Sequence, residues 1–199
     1  LDLTTDFTVE AWVYPTIVSG YQVILMKNNA YGFSIRAGTV YYVLGGTWTW
    51  YSTGVTVSAN TWTHLSFSKS GTSLTTYKDG GNSAGTSTST EGVVSGNSLA
   101  QDVPTNSNNV VLGYNSGYAN EFFTGYMDEL RIWDYARTAS DVALNYKNRI
   151  AANVGYWSFD EDSGNTSYNG AASTGFALNA TNNSTSTSTA QTPALITSF

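Results

Sequence analysis

The chain has 199 residues, of which 41% are hydrophobic, 14% aromatic and only 11% charged. An ordinary soluble domain is about 25% charged, so hydroxyls, amides and glycine must cover this surface, which argues against a helical bundle and for a β protein rich in turns. A net charge of −6, with 8 Lys and Arg residues that never cluster, excludes phosphate-backbone binding and so nucleic acid. No apolar run is long enough to span a membrane, and without Cys there is neither a disulfide nor a thiolate metal site.

The predicted elements are strands up to a single helix. Phe7 to Tyr14 alternates, with Phe7, Val9, Ala11 and Val13 on one face and Thr8, Glu10, Trp12 and Tyr14 on the other. Val23 to Lys27 reads as a short buried strand. Gly32 to Arg36 and Thr39 to Leu44 flank Ala37-Gly38, a hairpin turn signal. Trp62 to Lys69 sets Trp62, His64, Ser66 and Ser68 against Thr63, Leu65 and Phe67. Ser73 to Lys78 runs into the turn Asp79-Gly80-Gly81, and Val110 to Tyr114 and Phe123 to Asp134 follow. Strands recurring at about ten-residue intervals between Gly-rich turns predict a sandwich or jelly roll.

The helix is predicted at about 138–150. Thr138 reads as the N-cap, with Asp141 three residues on as a carboxylate capping-box partner. Ala139, Val142, Ala143, Tyr146 and Ile150 form its apolar stripe, and Lys147 and Arg149 suit its C-terminal dipole. One short amphipathic helix on a sandwich is expected as a lid over an open end of the core. Residues 181–192 are a Ser/Thr-rich low-complexity tract, which composition reads as a linker or stalk. The apolar end PALITSF is expected to anchor it as a strand through Ala194, Leu195, Ile196 and Phe199.

Several stretches carry a family resemblance. FTVEAWVYP at Phe7, NTWTHLSFSKSG at Asn60 with TTYKDGG at Thr75, FFTGYMDELRIWDYARTASDV at Phe122 and VGYWSFDEDSGNTSYN at Val154 together resemble the laminin-G-like, concanavalin A-like jelly rolls. The resemblance implies an all-β, two-sheet antiparallel jelly-roll sandwich over residues 1–180 with an arm at 181–199. The order departs from the family, where the GYW…DEGSG segment usually comes first. Here it follows the helix, and ALITSF, a counterpart of the family's "ALSFDG" strand, ends the chain. Three explanations fit: a circularly permuted domain, the start of a second incomplete domain, or an arm that completes the next subunit by strand addition. The start at Leu1, without Met or a signal-peptide pattern, suits a processed product or an excerpt.

Chemistry is sparse. A sheet-borne glycosidase site needs same-face acids at i, i+2 and i+4, and no such run occurs. Asp128 and Glu129 are adjacent and are expected on opposite faces, one capping a turn or pairing with Arg131. His64, the only His, reads as structural. Calcium is the metal the resemblance implies. It takes six to eight oxygens, and Asp160 and Asp162 lie two apart in an expected turn, with Asp102, Glu121 and Asn120 as contributors from other loops. Trp48 and Trp50 share a face with Tyr51 opposite, and Tyr41, Tyr42, Tyr114 and Tyr118 are expected in or beside loops. Such aromatics serve sugar stacking or subunit contact alike. Asn165, Asn179, Asn182 and Asn183 begin N-x-[ST] sequons.

The sequence expectation is a non-catalytic extracellular subunit at the cell surface that self-assembles head to tail, through sandwich and C-terminal strand contacts, into a fibre or coat. A calcium-dependent lectin-like module for a surface glycan is the alternative, and a glycoside hydrolase the distant third.

Overall fold

The computed structural model describes residues 1–45, 49–81, 89–92, 103–115, 117–118, 121–148, 150, 152, 154–159, 166–167 and 180–181. In chain order its elements are β1 (Phe7–Pro15), β2 (Tyr21–Lys27), β3 (Tyr31–Arg36), β4 (Thr39–Leu44), β5 (Tyr51–Thr56), β6 (Thr63–Ser70), β7 (Ser73–Lys78), β8 (Ser89–Gly92), β9 (Val110–Leu112), β10 (Gly125–Trp133), α1 (Ala139–Asn145), β11 (Gly155–Trp157), β12 (Thr166–Ser167) and β13 (Ala180–Thr181). A six-stranded sheet runs β11-β10-β1-β6-β7-β8 and a five-stranded sheet β5-β4-β3-β2-β9, while among the described residues β12 and β13 pair only with each other. All pairings are antiparallel.

The alternation of β1 is realised as read. Phe7, Val9, Ala11 and Val13 enter the core with Leu65, Phe67, Leu130 and Ile132 from the neighbouring strands. The other sheet supplies Leu25, Tyr31, Phe33, Ile35, Val40 and Tyr42. The faces meet where the Phe33 and Phe67 rings stack, 4.0 Å between centroids. Each such buried side chain contributes about 1.5–3 kcal/mol of transfer free energy. The β3–β4 hairpin turns through Ala37 and Gly38, both at positive φ (47° and 78°). That is the primed-turn geometry whose twist matches the flanking strands.

The Gly155–Trp157 segment pairs with β10 at the edge of the six-stranded sheet and sends Trp157 into the core. The part of the chain that the family places first thus closes the sheet from the C-terminal side.

The helix is shorter than its spacing predicts. The capping box between Thr138 and Asp141 forms, but the helix ends at Asn145. Asn145 Nδ2 donates to the Asp141 carbonyl at 3.0 Å and Asn148 Nδ2 to the Leu144 carbonyl at 3.0 Å. Asparagine amides that take backbone carbonyls in this way end a helix early. Lys147 therefore lies past the helix end. The helix also does not cap an open end of the core. It lies on the outer face of the six-stranded sheet, where Trp12 Nε1 donates to the Tyr146 carbonyl at 3.1 Å and Arg131 Nη2 to the Asn148 carbonyl at 2.6 Å.

Candidate ligand-binding face

Beneath the α1 segment lies a sealed cluster of charges. Arg137 Nη1 donates to Glu10 Oε1 at 2.7 Å, and Arg131 Nη2 to Glu129 Oε2 at 2.6 Å. Tyr156 Oη donates to Glu129 at 2.9 Å, and Ser66 Oγ to Glu10 Oε1 at 3.3 Å. His64 Nε2 stands 3.9 Å from Glu10 Oε2. Glu10, His64, Glu129 and Arg131 are all fully buried. Burial pushes the Glu10 carboxyl up, against the pull of Arg137 and Arg131, and pushes His64 well below its ordinary range, helped by the same two arginines. The buried imidazole packs between Trp12 and Tyr146, its ring 5.5 Å and 5.6 Å from theirs, and so ties the helix segment to the sheet. Asp128 and Glu129, expected on opposite faces, share this one, because a β-bulge at Glu129 resets the alternation.

The opposite surface of the sandwich is different in kind. On the outer face of the five-stranded sheet, Tyr21 and Arg36 are direct cross-strand partners, and Ser34 pairs with Tyr41 in the next strand. The Arg36 guanidinium lies 4.5 Å from the Tyr21 ring centre, 5.5 Å from that of Tyr41 and 4.3 Å from that of Trp50. Cation–π attraction at such distances is worth about 0.5–2 kcal/mol per ring, according to exposure. Trp50 rests on a small apolar floor of Val23, Met26 and Val43, and Gly32 leaves room for its ring, since a Cβ there would meet Trp50 and Met26. Arg36, Tyr41 and Trp50 are half-buried, and Tyr21 is 48% exposed.

A loop edges this face. The Tyr114 and Phe122 rings stack at its base, 4.8 Å apart. Asn115 Nδ2 donates to Glu121 Oε2 at 2.6 Å, and the Gly117 amide to Asn115 Oδ1 at 3.0 Å. Burial lowers the Arg36 pKa, while Glu121, Tyr21 and Tyr41 pull it back up, and a guanidinium stays charged at any working pH. Aromatic ring surface, one fixed cation and a nearby carboxylate make a polar-aromatic platform.

Of the predicted site residues, Trp50 stands on this face, and Glu121 and Tyr118 on the loop beside it. Tyr51 points the other way, packed against the core with its ring 5.6 Å from that of Tyr42. Tyr41 and Tyr42 lie within β4 rather than beside a loop. Trp48, Asp102, Asn120, Arg149, Asp160, Asp162, Ala194, Leu195, Ile196, Phe199 and the four sequon asparagines lie outside the described residues. Among the described residues, no three Asp, Glu or His side chains group as metal ligands do. Sequence reasoning missed Tyr21 and Arg36. The Ala37-Gly38 hairpin already fixes Ser34 opposite Tyr41, and so puts Arg36 diagonal to Tyr41 on one face.

Two antiparallel sheets packed face to face define a jelly-roll sandwich. The family model described as the concanavalin A-like lectin/glucanases superfamily, of laminin-G type, matches residues 1–143, and the chain belongs to this family. Among solved structures, a candidate carbohydrate-binding protein from Bacteroides ovatus is similar at 17% identity and a TM-score of 0.66, over 90% of this chain and 54% of that one. A heptameric SAP-like pentraxin from Limulus polyphemus is similar at 20% identity and a TM-score of 0.53, over 90% and 84%. The CBM40 module of a Ruminococcus gnavus sialidase follows at 14% identity and a TM-score of 0.53, over 71% and 82%. The chain thus spans about half the length of the Bacteroides protein. No curated protein matches the chain. Among the described residues, no helix is long and apolar enough to cross a membrane.

Proposed function

We propose that the chain is a non-catalytic, extracellular glycan-binding module whose site is the outer face of the five-stranded sheet around Trp50, Tyr21 and Arg36. The observation that carries this reading is the ring-lined cation at Arg36, a preorganised arrangement that the core does not need. Two fold relatives support it through their own descriptions. One is a candidate carbohydrate binder, and the other is a sialidase module bound to α2,3-sialyllactose. A glycan array followed by calorimetry tests it. Trp50→Ala should weaken the best ligand about tenfold or more, the equivalent of about 1.4 kcal/mol, with no turnover of that ligand. Equal binding by Trp50→Ala and the parent chain would remove the site from this face.

Self-assembly through the C-terminal strand stands as a second proposal. It is favoured by the displaced family segment, which enters the six-stranded sheet from the far end of the chain. Deleting residues 190–199 should turn assemblies into monomers with the sandwich intact. A parent chain that is monomeric at every concentration ends this proposal. Calcium is a third, through Asp102, Asp160 and Asp162. Glu121, the one described member of that set, already accepts from Asn115. A ligand bound only by the native state raises its stability, so a melting temperature indifferent to calcium and chelator would count against such a site.

A further inference from the structure

We infer that this face takes an acidic saccharide, with Arg36 as the partner of a sugar carboxylate. The inference rests on the glycan reading above and narrows its ligand class. It begins with a contrast between Arg36 and the buried cations. Lys27, Lys69, Arg131 and Arg137 are buried. Lys27 Nζ serves Asp2 and the carbonyls of Asn106 and Asn108. Lys69 Nζ serves the carbonyls of Thr5 and Gly71, and the two arginines serve Glu129 and Glu10. Arg36 is placed otherwise. Its Nε reaches Ser34 Oγ at a long 3.4 Å, no described residue accepts from its Nη groups, and no described carboxylate forms an ion pair with it.

Three rings nevertheless hold its plane in place. A side chain that elsewhere sweeps through many rotamers is here fixed before any ligand arrives, so little entropy remains to be lost on binding. The open Nη edge matches a carboxylate in bidentate geometry. Glu121 adds an acceptor for a neighbouring hydroxyl. It acts on Arg36 electrostatically without pairing to it, and Asn115 holds its Oε2. The surrounding rings supply apolar surface for the sugar's C–H face. The net charge of −6 repels anionic polymers at long range, so an acidic ligand is held by this local geometry or not at all.

Calorimetry on the full 199-residue chain tests the assignment with matched pairs: galacturonate trisaccharide against its neutral galactose counterpart, and sialyllactose against lactose. The acidic member of at least one pair should bind about tenfold tighter, and the responding pair tells a uronate from a sialate. Arg36→Gln should erase the preference for the acidic member, costing it about tenfold more than the neutral one, while Arg36→Lys keeps only part of that preference, because an ammonium is a point charge. The methyl ester of the galacturonate removes the charge without touching the protein and should behave as the neutral sugar does. Equal binding of acidic and neutral members, or an Arg36→Gln loss that falls on both alike, overturns the inference while the glycan reading stands. A parent chain that binds none of the sugars overturns both.

Discussion

Asp128 and Glu129 are neighbours in sequence and stand on the same face of β10. Opposite them, β1 advances from Glu10 to Trp12 while β10 goes from Arg131 back to Asp128, so β10 carries one extra residue. Glu129 absorbs it with φ at 51°, and its amide donates to Asp128 Oδ1 at 2.8 Å. The bulge swings Glu129 onto Arg131 and Tyr156. Without it, that carboxylate would point into the hydrophobic core, where an unpaired charge cannot stay.

The salt cluster should be costly to break and cheap to replace. Arg137→Met leaves Glu10, whose carboxylate has no access to solvent, with the weaker 3.8 Å contact to Arg131 and the Ser66 hydroxyl at 3.3 Å. Removing one partner of a buried pair costs about 3–5 kcal/mol, whereas replacing both by apolar groups is often neutral. Urea denaturation should therefore show Glu10→Met/Arg137→Met to be more stable than Arg137→Met alone. Additive losses would mean that the pair is not coupled.

His64 should make the fold acid-sensitive. Its folded pKa lies well below 6.5 through burial and the two arginines, so the unfolded chain takes up the proton first. Stability is then fully present above about pH 6.5 and falls as pH drops below it, by at most about 1.4 kcal/mol per pH unit. Glu10, raised above 4.5 by burial, works in the opposite sense, adding stability as pH falls toward that value. Comparing the parent chain with His64→Gln from pH 7.5 to 5 isolates the effect. Parallel stability curves would show that His64 titrates normally.

Gly125 should tolerate no side chain. It has φ at 151°, and an added Cβ would run into the Tyr14 carbonyl, which is backbone and cannot turn aside. Gly125→Ala should cost more than about 1 kcal/mol, the scale of a misplaced backbone substitution. Thermal melts read this directly, and an unchanged midpoint would show that β10 can shift away from β1.

Gly32→Ala should act on the ligand face more than on the fold. The new methyl meets the Met26 thioether and the Trp50 ring, both side chains that can move. Trp50 should lose its seat beside Arg36, and Trp fluorescence should shift. Ligand affinity should fall severalfold, about 1 kcal/mol, with the sandwich still folded. A binding curve identical to the parent's would detach Trp50 from the site.

Sequence periodicity carried most of the sandwich. β1 could be read because its core face is purely apolar, and the β3–β4 hairpin because Ala37-Gly38 sits between two β-branched and aromatic runs. The aromatic face around Arg36 was harder to see. Tyr21, Arg36, Tyr41 and Trp50 come from different strands and turns, so no period along the chain joins them, and only cross-strand register brings them together. Trp50 was legible from its alternation with Trp48, but Arg36 read only as the polar end of a strand. The bulge at Glu129 left no trace either, since nothing in DEL marks a non-glycine residue at positive φ.

The two buried lysines act as staples for the start of the chain. Lys27 holds Asp2 at 3.0 Å, Lys69 holds the Thr5 carbonyl at 2.7 Å, and Tyr31 Oη donates to the Leu1 carbonyl at 3.1 Å. Their amines are thereby withdrawn from acylating reagents. Of the chain's four lysines, only Lys78 and Lys147 remain within reach, and Lys147 is exposed just past α1, across the sandwich from Arg36. Amine coupling through Lys147 to a sensor chip or a bead would tether the protein by its back and leave the aromatic face turned toward the solution.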